Sequence, residues 1–154
     1  MSDIEFLNSQ WRDTLNEFKE DYEKWEKHTL KDYLTRCAEI VNNQIKYNMI
    51  DAVVATGASI IDMDFFEALG FKHYQGSQFQ NDTELRKNYI DRIYDTYIDE
   101  EELQACDQAI CDVANSMQPK SYTSREFILE LGKFLKKNSK KKGSLIETAF
   151  DNNV

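Results

Sequence analysis

Histidine, cysteine and paired carboxylates carry most proton, nucleophile and metal chemistry, and this chain is sparing with the first two. Its 154 residues hold two histidines, His28 and His73, and three cysteines, Cys37, Cys106 and Cys111. Neither histidine has a second one three or four positions away, the spacing that sets two metal ligands on one helix face. The cysteines match no zinc spacing, and Cys106 and Cys111 are too far apart for C-x-x-C. Asp107 and Asp112 flank the region of Cys111, and negative neighbours oppose a thiolate. Reduced thiols in a cytoplasmic protein account for all three.

Asp62 and Asp64 form the D-x-D pair that can hold a divalent cation. No phosphate-cradling loop goes with it. Gly57, in ATGAS, lacks the Lys and the spacing of a P-loop, and G-x-G-x-x-G, H-E-x-x-H and G-x-S-x-G do not occur. Together with His73 and Tyr74, these two aspartates are the residues from which a dispersed metal-dependent site would be built. Asp64 also stands where a helix cap belongs, with Glu67 three positions on. These residues assign no catalytic group, no metal ligand and no cofactor.

Charge bears on partners. The net charge is −9, and residues 1–120 hold 12 Lys/Arg against 24 Asp/Glu, whereas residues 121–154 hold 7 against 4. A field this negative repels nucleic acid and anionic membrane and attracts a protein with a basic surface. The basic run at residues 136–142, KKNSKKK, lacks the interleaved aromatics of single-strand binders. It reads as a solvated helix end, or as a segment folded back on the protein's own acidic face. The N-terminus has neither a basic start nor an apolar run, so no signal peptide is expected, and no stretch reaches membrane-spanning length.

One Pro and five Gly leave few tight turns, which favours long helices. The expected fold is all-α: a compact single-domain bundle of about six helices over residues 1–150, with residues 151–154 a frayed tail. The first helix starts at Asp3. Ile4, Leu7, Trp11, Leu15, Phe18, Tyr22 and Trp25 form a narrow seam at the heptad period, with Asp13, Glu17, Glu20, Asp21 and Lys24 opposite. A second helix runs from Thr29 to Asn48 on a face that includes Cys37, Ile40, Val41 and Ile45. Residues 49–59 are rich in small residues with two adjacent Val, and helix and buried strand both fit; helix is preferred. A short helix spans 64–70 and a loop 72–81. The next helix is expected from Asp82 or Thr83 to Ile98. Its face of Tyr89, Ile90, Ile93, Tyr94, Tyr97 and Ile98 is the widest apolar arc, which places it at the centre. Asp99 caps a helix from Glu100 to Met117, with Glu101 and Glu102 also in its first turn, where the helix dipole favours acid. Gln118-Pro119 breaks it. Thr123 and Glu126 form a capping box for the next helix, and residues 145–150 form a last short one.

The function expected on these grounds is a non-enzymatic protein–protein interaction module. Its composition resembles that of small phage or mobile-element inhibitors of host or defence proteins. Trp11, Glu17, Phe18, Glu20, Asp21, Tyr22 and Trp25 would form the partner surface, since aromatic residues dominate interface hot spots. The same seam could make a homodimer. Two alternatives are an acidic nucleic-acid mimic, displaying Asp91, Asp95, Glu100, Glu101 and Glu102 with Asp13, Glu17, Glu20 and Asp21 of helix one, and a helical enzyme using Asp62, Asp64, His73 and Tyr74.

Overall fold

The computed structural model describes residues 30–154. The long first helix and its seam lie outside the described residues, as does His28. Six α-helices, one π-helix and a three-stranded sheet follow in the order α1 (Leu30–Lys46), the π-helix (Ala58–Phe65), α2 (Phe66–Ala68), β1 (His73–Gln75), α3 (Asp82–Lys87), β2 (Ile90–Ile93), β3 (Thr96–Asp99), α4 (Glu100–Ser116), α5 (Ser124–Asn138) and α6 (Leu145–Asn152). The sheet overturns the all-α expectation.

The core gathers where the π-helix passes into α2. Phe65 and Phe66 are consecutive and both 0% exposed. Neighbouring helical side chains point about 100° apart, so both are buried only if the helix is covered on two sides. Phe134 of α5 stacks on Phe65 at 6.0 Å between ring centroids. On the other side Phe66 meets Phe71 at 5.1 Å and His73 at 5.0 Å. Leu131, Leu135, Ile146, Cys106, Val113 and Ile98 complete the cluster. Each fully buried Phe or Leu contributes about 1.5–3 kcal/mol relative to exposure.

The sheet replaces the helix expected from residue 82 to 98. Helix α3 stops at Lys87, and the chain turns through Tyr89 at φ 55° into an antiparallel hairpin. Strand β3 lies between β1 and β2, with His73 and Asp91 opposite Ile98, and Tyr74 and Arg92 opposite Tyr97. Aromatic and β-branched residues from 89 to 98 fit a pleated strand as readily as a helix face. The hairpin buries Ile98 but leaves Tyr89, Ile93 and Tyr94 exposed, so this run is not the centre of the fold. Arg92 ties the hairpin to α3: its guanidinium donates to both Asp82 oxygens at 2.8 and 3.0 Å and to the Tyr94 carbonyl at 2.8 Å. The loop expected over 72–81 contains β1. There the Tyr97 ring lies over Gly76, whose absent Cβ would fall 2.2 Å from Cζ.

The caps read from sequence recur at two places. Asp99 accepts from the Glu101 and Glu102 amides at 2.8 and 3.2 Å. Thr123 and Glu126 form a reciprocal capping box. Residues 49–56 are not helical, contrary to expectation; winding starts around Gly57. Helix α6 packs on α5, α1 and the π-helix. No helix among the described residues is long and apolar enough to cross a membrane.

Candidate functional site

The seven residues expected to bind a partner, Trp11, Glu17, Phe18, Glu20, Asp21, Tyr22 and Trp25, lie outside the described residues. The carboxylate and histidine suspects do not: the structure brings two of them together and separates the other two.

Asp62 and His73 meet at the junction of the π-helix and the sheet. His73 Nε2 lies 3.0 Å from the Asp62 carbonyl oxygen, and Nδ1 lies 3.1 Å from Glu67 Oε1. Phe66 covers the ring, and the His73 side chain is only 7% exposed. Both ring nitrogens thus face protein oxygens. Glu67 also binds the Lys141 ammonium. The sequence shows Glu67 only as part of a helix-cap pattern and Lys141 only within a basic run that could fold back on an acidic face; no local spacing pairs residues 74 positions apart.

Asp62 carries its own perturbation. Burial raises its carboxyl above the usual aspartate range, Asp107 adds to the rise and His73 opposes it. The same charges reach Cys106. Burial first, then Asp107 and Asp62, push that thiol up to about 12, so it is a core side chain and no nucleophile.

Asp64 points away from this cluster. Its carboxylate accepts from Ser144 Oγ at 2.6 Å and from the Leu145 and Ile146 amides at 2.7 and 2.9 Å. It caps α6 rather than its own helix, and no D-x-D cradle forms. Tyr74 projects from the opposite sheet face beside Tyr97, more than half exposed. Among the described residues no three His, Cys, Asp or Glu side chains gather in a group that could hold a metal ion.

Two further places are open to solvent. A cleft of about 390 Å³ lies between the end of α4 and α5, lined among others by Val113, Met117, Tyr122, Phe134 and Lys137. Residues 51–59 are exposed throughout, and Val54 is 98% exposed. Of the acidic groups suggested for phosphate mimicry, Glu100, Glu101 and Glu102 occupy the first turn of α4, where the helix dipole accounts for them. The lysine run is tied back: Lys136 pairs with Asp151, Lys141 pairs with Glu67, and the Lys140 amide donates to the Ala68 carbonyl at 2.8 Å.

Comparison with known proteins gives this geometry a context. Residues 32–154 match a family model described as deoxyhypusine synthase. A deoxyhypusine synthase-like protein of Caulobacter vibrioides is 62% identical over 119 residues, covering 77% of this chain and 32% of that protein. One from Coxiella burnetii is 57% identical over 119 residues, covering 77% of this chain and 34% of its own length. The probable deoxyhypusine synthase 2 of Methanosarcina acetivorans is 40% identical over 115 residues, covering 75% and 33%. The chain spans about a third of the length of the curated relatives it matches. These matches overturn the phage or mobile-element inhibitor and the nucleic-acid mimic. The charge that suggested them bears on solubility and not on ancestry.

Proposed function

Because the chain belongs to the deoxyhypusine synthase family, we propose that it works as one third of a deoxyhypusine synthase-like enzyme, supplying framework to the site rather than a full set of reacting groups. The observation that carries this reading is 62% identity over 119 residues with the Caulobacter vibrioides relative. The geometry supports the division of labour. His73 has both nitrogens engaged, Asp64 is spent on a helix cap, and Cys106 is buried in the core. A cytoplasmic location is part of the reading, and three unpaired cysteines fit a reducing compartment.

A chimera tests it. The matched 115 residues of the Methanosarcina acetivorans relative are replaced by the corresponding stretch of this chain, and deoxyhypusine formation is assayed. The expected activity lies within about tenfold of the parent. A folded chimera that makes none, beside an active parent, removes the reading.

A further inference from the structure

The cleft between the end of α4 and α5 stands apart from the cluster around His73: neither Asp62, Glu67, His73 nor Lys141 lines it. Its volume of about 390 Å³ falls in the range of small-molecule sites. Val113, Met117 and Phe134 give it an apolar side. Val113 belongs to the core, and the other two pack against it. Phe134 is also the ring that stacks on Phe65, so the cleft reaches the outer layer of the core. The rim is charged. Glu130 and Lys133 both line the cleft and pair with each other at 3.0 Å. Lys137 lies one turn further along α5 and makes no ion pair among the described residues. The lining therefore carries one net positive charge, on a chain whose net charge is −9. Most other polar groups there are committed. The Tyr122 hydroxyl donates to the Gln118 carbonyl at 3.0 Å, the Ser116 hydroxyl to the Val113 carbonyl at 2.7 Å, and the Asn138 amide to the Phe134 carbonyl at 2.8 Å.

We propose that this cleft binds a small monocarboxylate with an apolar body, its carboxylate on the Lys137 ammonium and its body against Val113, Met117 and Phe134. The apolar side supplies attraction without direction, because covering it removes nonpolar surface from water. The unpaired ammonium supplies direction and sign, as a charge-assisted hydrogen bond to a carboxylate. A single negative charge fits better than two. Helix α4 ends here with no basic residue in its last turn, so its terminal carbonyls leave a partial negative charge beside the cleft. With the Glu130 carboxylate, they repel a phosphate or a dicarboxylate. An amine fares worse than a neutral ligand, because Lys137 repels it and Glu130 is already neutralised by Lys133. Neither histidine nor cysteine lines the cleft, so the site holds a ligand rather than transforming one. It does not depend on the family reading.

Phenylpropanoate, phenylpropanol and phenylpropylamine share one apolar body and differ in charge. Each is titrated into the full chain, and amide chemical shifts report where it binds. Phenylpropanoate is expected to bind with a dissociation constant on the order of a millimolar, as suits a ligand this small. It should shift the amides of Val113, Met117, Phe134 and Lys137. The alcohol is expected to bind about fivefold more weakly, and the amine more weakly again. No shift of these amides at about ten millimolar phenylpropanoate overturns the proposal. So does equal binding of the three ligands, or tightest binding of the amine. Shifts at the exposed Phe79 and Tyr94 in place of the cleft amides show adsorption to apolar surface and overturn it as well. Lys137→Gln is expected to weaken phenylpropanoate about fivefold and to leave the alcohol unchanged. Lys142→Gln, in the same basic run but outside the cleft, should change neither. Both lysines are exposed, so both variants should fold. A Lys137→Gln protein that holds phenylpropanoate as tightly as the wild type, or a Lys142→Gln protein that loses as much affinity as Lys137→Gln, overturns the assignment.

Discussion

Asp64 and Ser144 are joined by a hydrogen bond of 2.6 Å across 80 residues of sequence. With the Leu145 and Ile146 amides, Ser144 gives the Asp64 carboxylate three donors at the start of α6. Asp64→Ala strands all three in a half-buried place. The expected loss is about 2–3 kcal/mol, the range for hydrogen bonds to a charged group. Asp64→Asn retains one acceptor oxygen and is expected to lose less. Urea denaturation followed by circular dichroism measures both; an unchanged midpoint for Asp64→Ala would contradict the cap.

The same carboxyl sets a pH dependence. Burial raises it above the usual aspartate value and outweighs the hydrogen bonds from Ile146, Ser144 and Leu145. A raised folded value means that the folded protein binds this proton more tightly than the unfolded chain does. The stability it contributes is therefore fully present below the unfolded value and is lost as pH rises through the raised folded value. The stability of the wild type relative to Asp64→Asn should fall across that acidic window and level off above it. Urea midpoints of both proteins from about pH 3 to 7 test this; a relative stability that climbs with pH would give the opposite sign.

Gly132 holds α5 against α6. An added Cβ would lie 2.5 Å from Phe150 Cβ and 3.0 Å from the Ile146 carbonyl oxygen. The carbonyl cannot swing aside as a side-chain tip does. Gly132→Ala is expected to force the helices apart and cost about 1–3 kcal/mol, despite the better helix propensity of alanine. A rise in the melting temperature would show that the α5–α6 contact yields.

What sequence disclosed and what it hid divide along chain separation. The Thr123–Glu126 box and the Asp99 cap are contacts between residues two or three apart, and spacing alone gives them. The hairpin was hidden because its turn carries no Gly or Asn: Tyr94 takes φ 60° itself, a conformation that aromatic residues seldom adopt. It is tied to α3 by Arg92 and Asp82, which are ten residues apart. Of the four site suspects, sequence found Asp62 and His73 as residue types but not their meeting, which depends on Glu67 and on the packing of Phe66. Asp64 was read as a cap, correctly in kind, but assigned to its own helix, since nothing local points to residue 144.

Cysteine labelling separates core from surface. Cys106 is fully buried, and its thiol is pushed up to about 12, whereas Cys111, five residues later on α4, is exposed. At pH 8 the Cys106 thiolate fraction is on the order of one in ten thousand. Iodoacetamide under native conditions should modify Cys111 and spare Cys106 until denaturant is added, as read by peptide mass spectrometry. Equal labelling of the two would show that the cluster around Phe65 opens readily.

The ties that close this structure set an order of assembly. Asn42 donates to the Gly143 carbonyl across 101 residues, Asp64 waits for Ser144, and the Lys140 amide reaches back to Ala68. On a translating ribosome the π-helix and the first half of the core emerge long before the segment that seals them. Phe65 must stay wet, or be held by a chaperone, until Phe134 and then residues 140–152 clear the exit tunnel. Nascent chains stalled ahead of that point should be protease-sensitive throughout, because contacts this distant in sequence give no early foothold.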